Sequence, residues 1–114
     1  MATVNTEPRF DHDGFLIAGE SWSEILARQL ADSSGIQTLT EEHWRVIEYL
    51  RAHYCAAHTL PVVRTLCRQL GLREHCVEKL FGNDLRRAWR IAGLPNPGEE
   101  AKVYMAQKSS SDRL

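Results

Sequence analysis

Apolar residues recur at spacings of three and four through most of the chain, the helical period rather than strand alternation. Trp22, Ile25, Leu26 and Leu30 share one helical face behind a Ser21-x-x-Glu24 capping pattern, and Gly35 ends that run. Thr40 starts a second helix, with Glu41 and Glu42 in the first turn, where the helix dipole favours anions. Trp44, Ile47, Leu50, Arg51 and Tyr54 carry it to about Ala57. Pro61 opens a third helix at its first position, with Val62, Val63, Leu66 and Leu70 inward and Gly71 as the stop. A fourth helix is predicted over residues 73–81, ending at Gly82. A fifth follows an Asn83 cap, has Leu85, Ala88, Trp89 and Ala92 as its apolar face, and ends at Gly93 with Pro95 beyond.

The N-terminal stretch departs from this period. Asp11-His12-Asp13-Gly14 lies between two short β-capable runs, residues 7–10 and 15–17, a hairpin signal. At the other end, residues 99–107 can add a short helix packed through Val103, Tyr104 and Met105, which needs tertiary contact to hold at that length. Residues 108–114 are expected to fray. The predicted fold is mainly α: a small N-terminal β-hairpin, about five helices and a C-terminal arm. Residues 1–98 form the helical domain and residues 99–114 the arm.

Composition narrows the class. The 114 residues are 43% hydrophobic and 25% charged, which suits one modest core and excludes a disordered or low-complexity polymer. No apolar run approaches the ~18 residues of a membrane span, and the first residues lack the basic and apolar regions of a secretory signal. A cytoplasmic location with no membrane partner is the expectation. Cys55, Cys67 and Cys76 are odd in number and contain no Cys-x-x-Cys pair, so three reduced thiols are expected rather than a disulfide framework.

The net charge of −1 conceals an asymmetry. Residues 1–60 hold four basic and nine acidic side chains, and residues 61–93 hold seven basic and three acidic. The basic segment suits an anionic partner, with Arg64, Arg68, Arg86, Arg87 and Arg90 as a docking surface if the third and fifth helices are neighbours. Within residues 61–81, Cys67, Gly71 and Val77 have the spacing of a helix–turn–helix unit. Arg73, Glu74, His75 and Lys79 would then be exposed for nucleic acid. A plain helical hairpin needs the same small residue and glycine, and Glu74 and Glu78 would repel phosphate.

Candidate chemistry is sparse. His53-x-Cys55-x-x-His58 is the densest potential ligand cluster, but only Cys55 and His58 share a helical face, so no metal site is expected. For a reactive thiol, Cys67 falls at the buried small-residue position and Cys55 near a helix C-terminus, leaving Cys76 the least excluded. There is no phosphate loop, catalytic triad or convincing carboxylate pair, and no cofactor is implied.

The most specific signal is the string Ile91-Ala92-Gly93-Leu94-Pro95-Asn96-Pro97, together with Leu39-Thr40-Glu41-Glu42-His43-Trp44-Arg45-Val46-Ile47. With Asp13-Gly14-Phe15-Leu16, Trp22-Ser23-Glu24, Arg51-Ala52-His53-Tyr54, Pro61-Val62-Val63-Arg64-Thr65-Leu66 and Leu80-Phe81-Gly82, the chain resembles the TusE/DsrC/DsvC family of sulfur-relay proteins over about residues 10–98. That family includes the gamma subunit of dissimilatory sulfite reductase. The resemblance implies sulfur-relay or sulfite-reductase-type partners and a mobile arm whose penultimate cysteine carries sulfur. DsrC-type members have a second cysteine directly before the x-Ile-Ala-Gly sequence. The matching positions here are Glu100 and Trp89, and fourteen residues follow Glu100. The resemblance therefore implies a non-catalytic binding or regulatory member of the family. The alternatives are a sulfur carrier using another thiol, Cys76 first, and a helix–turn–helix regulator that binds nucleic acid through residues 61–81.

Overall fold

In a computed structural model, residues 8–17, 21–82 and 85–110 are described, with side chains as far as residue 105. They form six helices: α1 (Glu24–Ser33), α2 (Glu41–Ala57), α3 (Val63–Gln69), α4 (Cys76–Phe81), α5 (Leu85–Ile91) and α6 (Glu99–Ser110). Helix α5 is central, packing against α1, α2, α4 and α6. Val46, Ile47, Leu50, Leu66, Val77, Phe81, Ala88, Trp89 and Ile91 form the core between these faces, with Phe15 capping it from the N-terminal segment.

The caps refine the expected boundaries. Ser23, rather than Ser21, caps α1, its hydroxyl accepting from the Leu26 amide at 3.1 Å. Ser23 is the residue directly before the first helical turn, the position from which a short hydroxyl reaches the third amide of the helix. Thr40 caps α2 as expected, and the reciprocal half of its capping box comes from His43: the Thr40 amide donates to His43 Nδ1 at 3.0 Å. Because Nδ1 accepts, the proton lies on Nε2, which donates to the Leu80 carbonyl at 2.7 Å and ties α2 to α4. Pro61 lies ahead of α3, whose cap is Val62. Helix α4 begins at Cys76 rather than near Arg73, because His75 adopts a left-handed conformation (φ 63°) that breaks helical continuity. The expected Asn83 cap falls outside the described residues.

The expected hairpin over residues 7–17 reduces, within residues 8–17, to one antiparallel bridge between Phe10 and Leu16. Its turn is held by the Asp11 carboxylate, which accepts from the Asp13 and Phe15 amides at 2.9 Å each. Side-chain acceptance of these amides substitutes for a longer strand ladder.

The three-thiol expectation is also corrected. Cys67 and Cys76 form a disulfide, with Cα atoms 5.8 Å apart. The turn through Gly71 (φ 73°) brings the end of α3 back onto the start of α4, a proximity that counting cysteines along the chain does not reveal. Among the described residues no helix is long and apolar enough to cross a membrane.

Candidate functional site

The arm emerges from α5 through residues 92–98, and three sets of contacts fix this segment. Trp22 closes over Gly93 and donates its indole N–H to the Ile91 carbonyl at 2.9 Å. The Arg51 guanidinium stacks 3.9 Å from the Trp22 ring centroid and donates to the Ala92 carbonyl at 2.8 Å. Burial lowers the Arg51 pKa from its ordinary value. Trp89, almost fully buried, donates to the Pro95 carbonyl at 2.7 Å and meets Tyr54 edge-on at 5.7 Å. An indole holding its N–H donor therefore occupies the position at which the resemblance implies a second cysteine.

From Asn96 onward the chain is clamped to the N-terminal turn. Asn96 Nδ2 donates to Asp11 Oδ2 at 2.9 Å and Asp13 Oδ2 at 3.1 Å. Lys102, one turn into α6, pairs with Asp13 and with Glu99, the latter at 3.0 Å. The Asn96 hydrogen bond is the largest influence holding the Asp11 pKa below 3.8. The Lys102 ammonium does the same for Asp13, and Asp13 in turn raises Lys102 above its ordinary 10.5. Met105 then enters the core with no exposed surface. Val103 and Tyr104 were expected to share that packing and instead face outward, 55% and 40% exposed. Glu100 is exposed in the first turn of α6, where its charge complements the helix dipole.

The basic residues separate into two groups. Arg87 donates to the Phe81 carbonyl at 3.1 Å, and Arg90 donates to the Asp13 carbonyl at 3.2 Å while lying 5.1 Å from the Phe15 ring centroid. Arg86 is half-buried on the same helix. By contrast Arg64 and Arg68 on α3 are exposed, as are Arg73 and Lys79 around α4, and none of the four has an ion pair among the described residues. Arg73, Glu74 and His75 lie in the connection before α4, so the helix pair does not present them on a recognition helix.

The thiol candidates are likewise dispersed. Cys76 is bonded to Cys67, leaving Cys55 the free cysteine, exposed near the end of α2. His53 stacks on Tyr49 and contacts Thr59 Oγ1 at 3.3 Å, while His58 forms the left-handed C-cap of α2. Among the described residues no three His, Cys, Asp or Glu side chains converge to hold a metal. The clamp residues Asn96 and Lys102 were not singled out from the sequence. The only trace of their role is an amide and an ammonium that follow, in the chain, an Asp-x-Asp turn they must meet in space.

The family described as DsrC like protein matches the chain over residues 3–99. Sulfurtransferase TusE of Sodalis glossinidius (strain morsitans) is 36% identical over 105 residues, covering 85% of this chain and 96% of its own. The sulfurtransferase TusE of Escherichia coli (strain K12) is 33% identical over 95 residues, covering 76% and 86%. Among solved structures, the oxidized gamma subunit of the dissimilatory sulfite reductase (DsrC) from Archaeoglobus fulgidus superposes with a TM-score of 0.70 at 36% identity, covering 82% of this chain and 92% of that one. Dissimilatory sulfite reductase I (DsrI) gives 0.72 at 30%, covering 81% and 89%.

Proposed function

Since this chain belongs to the DsrC-like family of sulfur-relay proteins, we propose that it acts there as a binding or regulatory member that does not itself carry sulfur on its arm. One observation carries the reading: the arm is a helix clamped to the body, with Glu100 in its first turn, Lys102 paired to Asp13 and Met105 buried. Sulfur relay by an arm needs a nucleophilic thiolate that can reach into a partner. Here the arm offers a carboxylate on an anchored helix. Trp89, at the other implied position, is committed to packing.

The partners would be sulfur-relay or sulfite-reductase-type proteins in the cytoplasm, met through an acidic face of the partner. The exposed cations Arg64 and Arg68, extended by Arg73 and Lys79, suit that contact better than Arg87 and Arg90, whose guanidiniums hold the fold. The test is incubation with a cysteine desulfurase, cysteine and a TusE-type donor, followed by intact mass measurement. No single-sulfur adduct is expected. A stoichiometric adduct would replace this reading with sulfur carriage on another thiol, either Cys55 or a Cys76 freed by reduction. In the complementary Glu100→Cys variant, failure to accept sulfur while donor binding persists is the expected result of the clamped arm.

A further inference from the structure

We propose that the Cys67–Cys76 disulfide is an exchange site with a fixed direction, in which a small anionic thiol attacks Cys76 and Cys67 leaves as the thiolate. Each cysteine of the pair borders a different surface cavity. Cys76, and not Cys67, lines one of about 320 Å³ together with Arg73, Lys79, Glu42, Gly71 and Leu72. Cys67, and not Cys76, lines another of about 160 Å³ with Arg64, Arg68, Leu72 and Glu74. An attacking thiolate must approach one sulfur from the side away from the other. Both cysteines are buried, Cys76 5% and Cys67 2% exposed, so attack has to come through a bordering cavity, and the larger one, at Cys76, has two cations against one carboxylate to draw in an anion.

The leaving side is prepared independently. The backbone N–H of Cys76 already donates to Cys67 Sγ at 3.3 Å. When the sulfur–sulfur bond breaks, this contact becomes a charge-assisted hydrogen bond to the new thiolate. Arg64 and Arg68 border the cavity on that side and favour the same charge. A leaving thiol of lower pKa departs faster; each cavity carries two cations and one carboxylate, so it is the amide contact, made to Cys67 Sγ, that selects Cys67 as the leaving group. The step balances without a further reactant. The attacking thiolate sulfur forms a bond to Cys76 Sγ and is oxidised, the Cys67–Cys76 bond breaks, and its electron pair remains on Cys67, which is reduced. The mixed disulfide on Cys76 removes the covalent link between α3 and α4, which remain packed through the core.

The experiment uses the full chain and reduced glutathione as the probe. Maleimide labelling without reductant should modify Cys55 alone, and labelling of all three cysteines would overturn the proposal. In a Cys55→Ser background, exchange with glutathione is quenched with iodoacetamide and mapped by peptide mass. Glutathione on Cys76 and the alkyl group on Cys67 is the expected result. The reverse assignment overturns the direction, and a disulfide inert to thiol concentrations that open it in the denatured chain overturns the exchange itself. The Arg64→Ala/Arg68→Ala double variant should exchange severalfold more slowly at low salt, with the difference fading at high salt. An unchanged rate would remove the cations from the account. Glutathione should also react faster than a neutral thiol of similar pKa, and equal rates would overturn the preference for an anion.

Discussion

At Gly93 a single missing side chain decides how the arm leaves the body. A Cβ there would fall 2.1 Å from Trp22 Cδ1, and the backbone has φ 74°. Gly71 has nearly the same φ, 73°, with nothing within 4 Å of its Cβ position. The pair therefore separates backbone strain from steric exclusion. Gly71→Ala should cost about 1 kcal/mol, the left-handed conformation alone. Gly93→Ala should lose a further ~1–3 kcal/mol, because Trp22 must abandon its ring contact with Arg51 or its bond to Ile91. Urea midpoints at constant slope measure the difference, and equal losses would show that Trp22 moves aside freely. The Ile91–Pro97 string was legible as a motif. Its physical reason was not, since Trp22, just ahead of α1, and Arg51, on α2, reach it across most of the chain, where no spacing rule operates.

Helix α6 is too short to be stable in water by propensity alone, so its order is a consequence of docking. Met105 supplies the apolar part, and Met105→Ala should destabilise by about 2–5 kcal/mol in chemical denaturation, with loss of helical circular dichroism from the arm before the global transition. A loss no greater than that of an exposed Val103→Ala control would show that α6 is not anchored there. The polar part predicts a pH window. Asp13 has a lowered folded pKa, so its contribution is fully present above the ordinary 3.8 and is lost as pH falls through the lower folded value. Lys102 has a raised pKa, so its contribution is present below 10.5 and is lost as pH rises through the higher folded value. NMR signals of residues 99–105 should hold their docked positions between these limits and move at both ends. In Asp13→Asn the part of the acid transition due to the Asp13–Lys102 pair should disappear, leaving the part due to Asp11, whose pKa is also lowered. The helical period made α1, α2 and the existence of α6 readable. The late start of α4 was hidden because a left-handed His75 interrupts an otherwise helical pattern, and the outward turn of Val103 and Tyr104 depends on which face α5 offers.

Across the whole molecule, the excess positive charge of residues 61–93 does two different jobs, and only the structure divides them. Arg87 and Arg90 spend their donors on backbone carbonyls of Phe81 and Asp13, joining α5 to the end of α4 and to the N-terminal turn. Arg64 and Arg68 project from α3 without an ion pair among the described residues. The two pairs have identical formal charge, so net-charge arguments treat them alike, whereas stability should not. Arg64→Glu/Arg68→Glu should remain within about 0.5 kcal/mol per substitution of the parent, as surface changes do. Arg87→Glu/Arg90→Glu should lose several times more, because carboxylates would face the vacated carbonyl oxygens. Binding should show the opposite order when the folded fractions are compared: reversal at Arg64 and Arg68 should weaken capture of an acidic relay or sulfite-reductase-type partner. That loss should shrink as salt rises, since exposed charges a Debye length apart, about 8 Å at physiological ionic strength, are screened. Undiminished capture by the Arg64→Glu/Arg68→Glu protein at low salt would move the docking surface off α3. Equal stability of the two double variants would mean that the Arg87 and Arg90 bonds to the backbone contribute no more than solvent does.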